Sequence, residues 1–483
     1  MRAVKQLGAP GFLCAVAAAL LGWALQRSSG MFEPLSLLLA TVASALALAA
    51  AVRGRLLDGV RIVGGRVPAQ PAALAAEPPA LYAQLVFGAG LLYSLYCHLF
   101  ESPTFYGDPR LLQSFRGLAL FAVILGSAYL CVHLRASLRR ARFLALLAVF
   151  AVMGIAIIRA SPSPHIDVWV FQQLGADALW KGLNPYSISY PDLYARTGST
   201  LQTYGSQIVQ DGRVTMYPYP PLTALLDAPV HALLGDIRYL LLGCMLLGAW
   251  ALGRLEGERP EAPQTGASLG ELAALFFLFQ PRTFFVLEQA WTEPLVFAAF
   301  AVALLVAQRF RDRPRGFLPI GLAAGVFAAS KQYTPLLLIP FALALTEGKR
   351  LRTALVALGV VIATALPFAL WNPLGLYRDV VLMQFLQPMR TDSLSLLALW
   401  VRRGGVVPGG ALAAFVAAGL SLAVSVKPRL SLGQAATAAA AAWLLLVLLN
   451  KQAFCNYDYL GVGLLCLAAA ARSGKRSLEV SSA

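Results

Sequence analysis

Residues 159–169 read Arg159-Ala160-Ser161-Pro162-Ser163-Pro164-His165-Ile166-Asp167-Val168-Trp169. An apolar run ends here on an arginine and two prolines. Proline cannot continue a helix, because it lacks an N–H and its ring clashes with the preceding turn. A polar and aromatic stretch follows as far as residue 220, and it is the one substantial polar insertion in the chain. It divides two series of apolar runs. Upstream they lie near 9–26, 33–52, 81–99, 114–134 and 143–159. Downstream they recur near 237–253, 270–287, 292–308, 316–330, 333–346, 352–371, 410–426, 431–449 and 457–472. A helix needs about 20 residues to cross the hydrocarbon core, so the pattern predicts an all-α polytopic transmembrane protein of about fourteen spans.

Composition agrees with that class. Of the 483 residues 58% are apolar and 13% charged, against about 25% charged in a soluble domain. The mean hydropathy is +0.68. The net charge of +16 comes from clusters between apolar runs, the signature of cytoplasmic loops and not of nucleic-acid binding. The six cysteines (14, 97, 131, 244, 455 and 466) form no CxxC pair, so neither a zinc site nor a disulfide framework is expected. The basic, apolar N-terminus without a small-residue cleavage site reads as an uncleaved first span.

Basic clusters order the topology. Arg53, Arg55, Arg61 and Arg66 mark one inside loop, and Arg135, Arg139, Arg140 and Arg142 the next. The insertion 160–220 then lies outside. Arg309–Arg315, Lys349–Arg352, Lys427 with Arg429, and the tail at Arg472, Lys475 and Arg476 all fall inside on one condition: Pro220 to Leu234 must not cross. It is read as an interfacial helix, and Asp227 and His231 within it fit poorly with a full span. The expected organisation is an accessory set of helices over 1–142, a core over 143–472 and a cytoplasmic tail over 473–483. Both termini are cytoplasmic, in a multi-pass plasma-membrane protein.

Five polar segments then meet on the outer face: the insertion, Leu287–Pro294, Ser330–Tyr333, Trp371–Arg403 and Asn450–Tyr459. Convergent polar groups over an apolar body make a site for an amphipathic ligand. Within the insertion, Val168 to Lys181 reads as a short amphipathic helix with Trp169, Phe171, Leu174 and Ala178 on its apolar face and Gln172, Gln173, Asp177 and Lys181 opposite. Asp167 at its start is either a catalytic carboxylate or a helix cap. Lys331, Arg390 and Arg402 suit a phosphate or snorkel to lipid headgroups. Glu288 and Glu293 either pair these cations and contact a sugar hydroxyl, or are solvated. Tyr457 and Asp458, with Tyr459, either hydrogen-bond a sugar or form an interfacial belt.

Chain order and motifs resemble the GT-C glycosyltransferases, membrane enzymes that use polyprenyl-phosphate sugars. The matching elements are His165-Ile166-Asp167-Val168-Trp169, Gly182-Leu183-Asn184-Pro185-Tyr186, Tyr219-Pro220-Pro221-Leu222 and Ser330-Lys331-Gln332-Tyr333-Thr334-Pro335. The resemblance covers roughly 143–472 and is nearest to the bacterial mannosyltransferase-like branch. It departs at Glu288-Gln289-Ala290-Trp291, where that branch has a Gly-Gln-Val-Asn turn, in the absence of a second acid beside Asp167, and in four extra N-terminal spans. The resemblance implies a GT-C-like bundle that moves mannose, or another hexose or pentose, from a polyprenyl phosphate to a glycan, lipid or protein acceptor. Asp167 is the implied general base, with Lys331 and Arg390 at the donor phosphate. Tyr219, Gln332, Glu288, Glu293, Tyr457 and Asp458 are the implied substrate contacts. The partners are the lipid-linked sugar, its acceptor and membrane lipids. No cofactor or metal is called for beyond the donor. The competing expectation is a transporter or flippase for lipid-linked sugars, which predicts polar breaks at the midplane.

Overall fold

The computed structural model describes residues 9–63, 78–131, 136–205, 207–255, 268–407 and 412–471. The tail over 473–483, the basic residues Arg66, Arg135, Arg472, Lys475 and Arg476, and the expected cleavage-free start at residues 1–8 lie outside these residues.

The protein is all-α and membrane-embedded. Before the insertion stand α1 (Pro10–Ser28), α2 (Pro34–Val63), α3 (Pro78–Phe100), α4 (Leu112–Cys131) and α5 (Ala136–Ala160). The insertion contains α6 (Asp167–Trp180) and a small antiparallel sheet of β1 (Tyr190–Pro191), β2 (Val209–Gln210) and β3 (Arg213–Val214), ordered β1-β3-β2. Then follow α7 (Pro221–Leu234), α8 (Arg238–Gly253), α9 (Leu269–Phe279), α10 (Thr283–Glu288), α11 (Glu293–Phe310), α12 (Phe317–Ser330), α13 (Thr334–Leu343) and α14 (Glu347–Trp371). The last three are α15 (Leu412–Ser425), α16 (Leu432–Leu448) and α17 (Cys455–Ala471). Prolines 221, 294 and 335 open α7, α11 and α13, where the missing N–H would have had no partner anyway.

Each apolar run is helical, and the run at 270–287 is broken at Gln280 into α9 and α10. Among the described residues seven helices are long and apolar enough to cross a membrane, or up to eight if α7 and α8, bent by 114°, form one broken span. This is fewer than the fourteen crossings expected from the runs. The six remaining apolar helices have 10 to 17 residues. At 1.5 Å per residue they measure about 15 to 26 Å, less than a hydrocarbon core of about 30 Å.

The two ends of the bundle differ in chemistry. At one end Arg55 donates to the carbonyls of Ala423 and Val424, Lys349 to those of Arg311 and Arg313, and Arg350 to those of Leu343 and Pro428. The basic loops are therefore knotted together by their own backbone. At the other end Met31 pairs with Ser393, Phe32 donates its N–H to Asp392, and Leu394 donates its N–H to Ala453. The insertion sits at this second end on its own aromatic core of Phe171, Tyr186, Tyr190, Tyr204, Tyr217 and Tyr219. The amphipathic reading of α6 needs one correction. Gln172 is fully buried while Leu174 is 40% exposed, because Gln172 is tied to a turn of the bundle.

Candidate functional site

Two motifs brace the insertion. The Asn184 side chain caps the following turn by accepting the Tyr186 N–H at 2.9 Å. The Tyr186 hydroxyl then donates to the carbonyl of Tyr219 at 2.7 Å. The Asn-Pro-Tyr and Tyr-Pro-Pro-Leu elements thus hold each other. Asp379 adds a third tie by accepting the Tyr217 N–H at 2.9 Å. Gln332 donates to the carbonyl of Pro218 at 2.8 Å, which docks the α12–α13 turn beside Tyr219.

These ties enclose a cavity of about 400 Å³, within the range of small-molecule sites. Its walls bring together Asp167, Tyr219, Lys331, Gln332, Arg390 and Tyr457. Aromatic groups face them, among them Phe105, Tyr106, Tyr194, Tyr204, Phe285 and Trp291. Carboxamides from Gln289, Gln384, Gln387, Gln452 and Asn456 complete the lining. The wall includes Ser29, Met31, Phe105 and Tyr106, so loops of the N-terminal region reach the cavity. Gly30 explains how the chain gets there. Its φ of +76° suits glycine, and a side chain at this position would collide with the Cys455 backbone.

Asp167 is the first residue of α6, and Ile166 is the flanking position. Its carboxylate makes no bond to the N–H groups further along the turn, as a capping residue would. It accepts the adjoining Val168 N–H at 2.8 Å and the Tyr194 hydroxyl at 3.3 Å. Burial pushes its pKa up, opposed by the Val168 N–H, the Tyr204 and Tyr194 hydroxyls and the positive Arg390.

Both cavity cations have acidic partners. Lys331 lies 3.3 Å from the buried Glu293, also donates to Thr292, and stands 5.4 Å over the Tyr219 ring. Tyr333 donates to the same Glu293 oxygen at 3.1 Å. Arg390 grips Asp392 with two bonds of 2.9 and 2.7 Å and covers the ring of Phe454. Arg402 donates to the carbonyl of Thr391 and lies over Phe32 at 4.2 Å, so it fastens the loop and does not line the cavity.

Three expected contacts sit behind the wall. Glu288 spends its two oxygens on the N–H groups of Phe105 and Tyr106 at 2.7 and 2.8 Å, which fixes the N-terminal wall. Burial raises its pKa, against these two N–H groups. Glu293 serves Lys331, and Asp458 is 3% exposed inside the bundle. Two polar side chains were not singled out by any motif: Gln172 donates to the carbonyl of Ala290, and Lys451 to the carbonyls of Phe385 and Gln387. A glutamine on an amphipathic helix and a lysine in a loop look like solvated groups in sequence. Their role is to hold backbone.

Among the described residues no group of three or more His, Cys, Asp or Glu side chains could hold a metal ion. No family model, curated protein or solved structure matches the chain.

Proposed function

We propose that the protein is a membrane glycosyltransferase of the GT-C type. In this reading it transfers a sugar from a polyprenyl-phosphate donor to a glycan, lipid or protein acceptor at the extracytoplasmic face of the plasma membrane. The observation that carries the reading is the convergence of one acid, Asp167, and two cations, Lys331 and Arg390, on a single aromatic- and amide-lined cavity. They come from segments far apart in sequence. In this reading the apolar helices, short ones included, make up the bundle, with the basic end in the cytoplasm and α7 lying along the outer surface.

The chemistry follows from the residues. Asp167 accepts the acceptor hydroxyl proton as general base, a role that contributes about 10²–10⁴-fold. The acceptor oxygen bonds the anomeric carbon as the bond to the donor phosphate breaks. Lys331 and Arg390 stabilise the charge that develops on the leaving phosphate. The carboxamides suit neutral sugar hydroxyls, and the aromatic wall suits apolar sugar faces. The prenyl chain stays in the bilayer, which accounts for a catalyst built from apolar helices.

The test uses purified protein in lipid vesicles, with radiolabelled polyprenyl-phosphate sugars, nucleotide sugars and an acceptor extract. Product formed from the lipid-linked donor alone supports the reading. Translocation of the lipid-linked sugar across the vesicle membrane without transfer would overturn it in favour of a flippase.

A further inference from the structure

Tyr219, Thr223, Asp227 and His231 recur at a spacing of four. Within α7 that spacing stacks the last three on one helix face. Tyr219 precedes the helix and lines the cavity. The helical members share a property uncommon in a folded chain. Thr223 Oγ1, both carboxyl oxygens of Asp227 and His231 Nδ1 are buried without a hydrogen-bond partner. Thr223 is 1% exposed and Asp227 0%.

The surroundings of Asp227 sharpen the point. α7 packs on α6, α8, α12 and α14. Among the described residues the titratable groups that feel the charge of Asp227 are Tyr217 and Tyr219 of the preceding loop and Cys244 of α8. Among the described residues no charged group offsets its burial. An unpaired carboxylate there would be costly, and burial pushes its pKa up. The Tyr217 hydroxyl is also buried and unpartnered. Buried polar groups of this kind are ordinarily satisfied by ordered water. At the far end His231 Nε2 lies 3.8 Å from Asp177 of α6, whose other oxygen accepts from the exposed Lys181 at 2.7 Å.

We propose that this face of α7 is a water-bridged proton conduit from the cavity to the protein surface. It rests on the reading of Asp167 as the base. Once donor and acceptor fill the cavity, the proton taken by Asp167 needs an exit that does not pass the substrates. It enters at the Tyr219 hydroxyl, passes Thr223 and Asp227 through bridging water, and leaves at His231. A neutral imidazole has one donor and one acceptor nitrogen and relays a proton by exchanging them. Each member accepts one proton and releases one, so the net result is one acceptor proton delivered to solvent and Asp167 restored as carboxylate.

The experiment is infrared spectroscopy of the full chain in lipid nanodiscs. Wild type should show a protonated-carboxyl band that Asp227→Asn removes. Its shift in D2O should be about tenfold or more slower in His231→Leu and in Thr223→Val, with unfolding temperatures near wild type. An equal exchange rate in wild type and both variants, or no band lost in Asp227→Asn, would overturn the conduit. Transfer measured in parallel separates the two readings. In a transferring enzyme Asp227→Asn should lower kcat about tenfold with KM unchanged and enlarge the solvent isotope effect. Unchanged kcat and isotope effect would overturn the link to Asp167. A wild type that exchanges the carboxyl proton but transfers no sugar would instead refute the proposed function.

Discussion

Gln172 donates its side-chain amide to the carbonyl of Ala290 at 2.7 Å, deep in the protein. That bond joins the helix that begins at Asp167 to the turn that carries Gln289, Trp291 and Thr292 into the cavity wall. Ala290 has a φ of +57°, a left-handed conformation that a non-glycine residue adopts when its surroundings hold it there. Gln172→Leu leaves the Ala290 carbonyl buried and unpaired, which costs about 1–3 kcal/mol. The expected outcome is a lower unfolding temperature together with reduced transfer. Loss of stability with full transfer would separate this turn from the chemistry.

The pH dependence has a defined sign. The proposed role of Asp167 as base requires its ionised form, and burial raises its pKa. Transfer should therefore fall on the acid side at a higher pH than an ordinary aspartate would give. Arg390 and the Tyr194 hydroxyl both favour the carboxylate. Arg390→Gln and Tyr194→Phe should each move the acid limb of kcat/KM toward neutrality. A limb that stays in place or moves to lower pH in both would contradict the assignment.

Lys331 has a structural duty and a proposed catalytic one, and the two can be separated. Removing it strands Glu293, which is 0% exposed. Breaking a buried pair costs about 3–5 kcal/mol, whereas replacing both partners is far milder. Lys331→Met should be strongly destabilised, and Lys331→Met with Glu293→Gln should recover much of the stability. Thermal unfolding checks this. Transfer should stay low in both, because the cation proposed for the donor phosphate is gone.

Glu288 offers the opposite contrast. Both its oxygens accept N–H groups of the Phe105–Tyr106 wall, so Glu288→Gln exchanges one acceptor for a clashing donor. Stability should fall by about 1–3 kcal/mol, with KM for the donor little changed once the protein is folded. A large rise in KM at full stability would return Glu288 to the substrate.

How much was legible in the sequence follows from what each signal encodes. Long apolar runs encode helices, and all of them formed. Run length does not encode a break, so Gln280 split one run into α9 and α10. Convergence was legible for Asp167, Tyr219, Lys331, Gln332, Arg390 and Tyr457, because topology put their segments at one end and all six line the cavity. It was misleading for Glu288, since backbone N–H groups from a distant loop compete for a carboxylate and leave no trace in local sequence. The same blindness hid the N-terminal wall. Ser29, Met31, Phe105 and Tyr106 carry no motif, and the fold alone makes them neighbours of Asp167.

The most direct measurement is single-turnover transfer from a labelled polyprenyl-phosphate sugar by wild type and Asp167→Asn in the same vesicles. Asparagine keeps the shape and removes the proposed base. The account predicts a loss of about 10²–10⁴-fold in the chemical step, with donor binding and unfolding temperature retained. Equal single-turnover rates in the two proteins would contradict it.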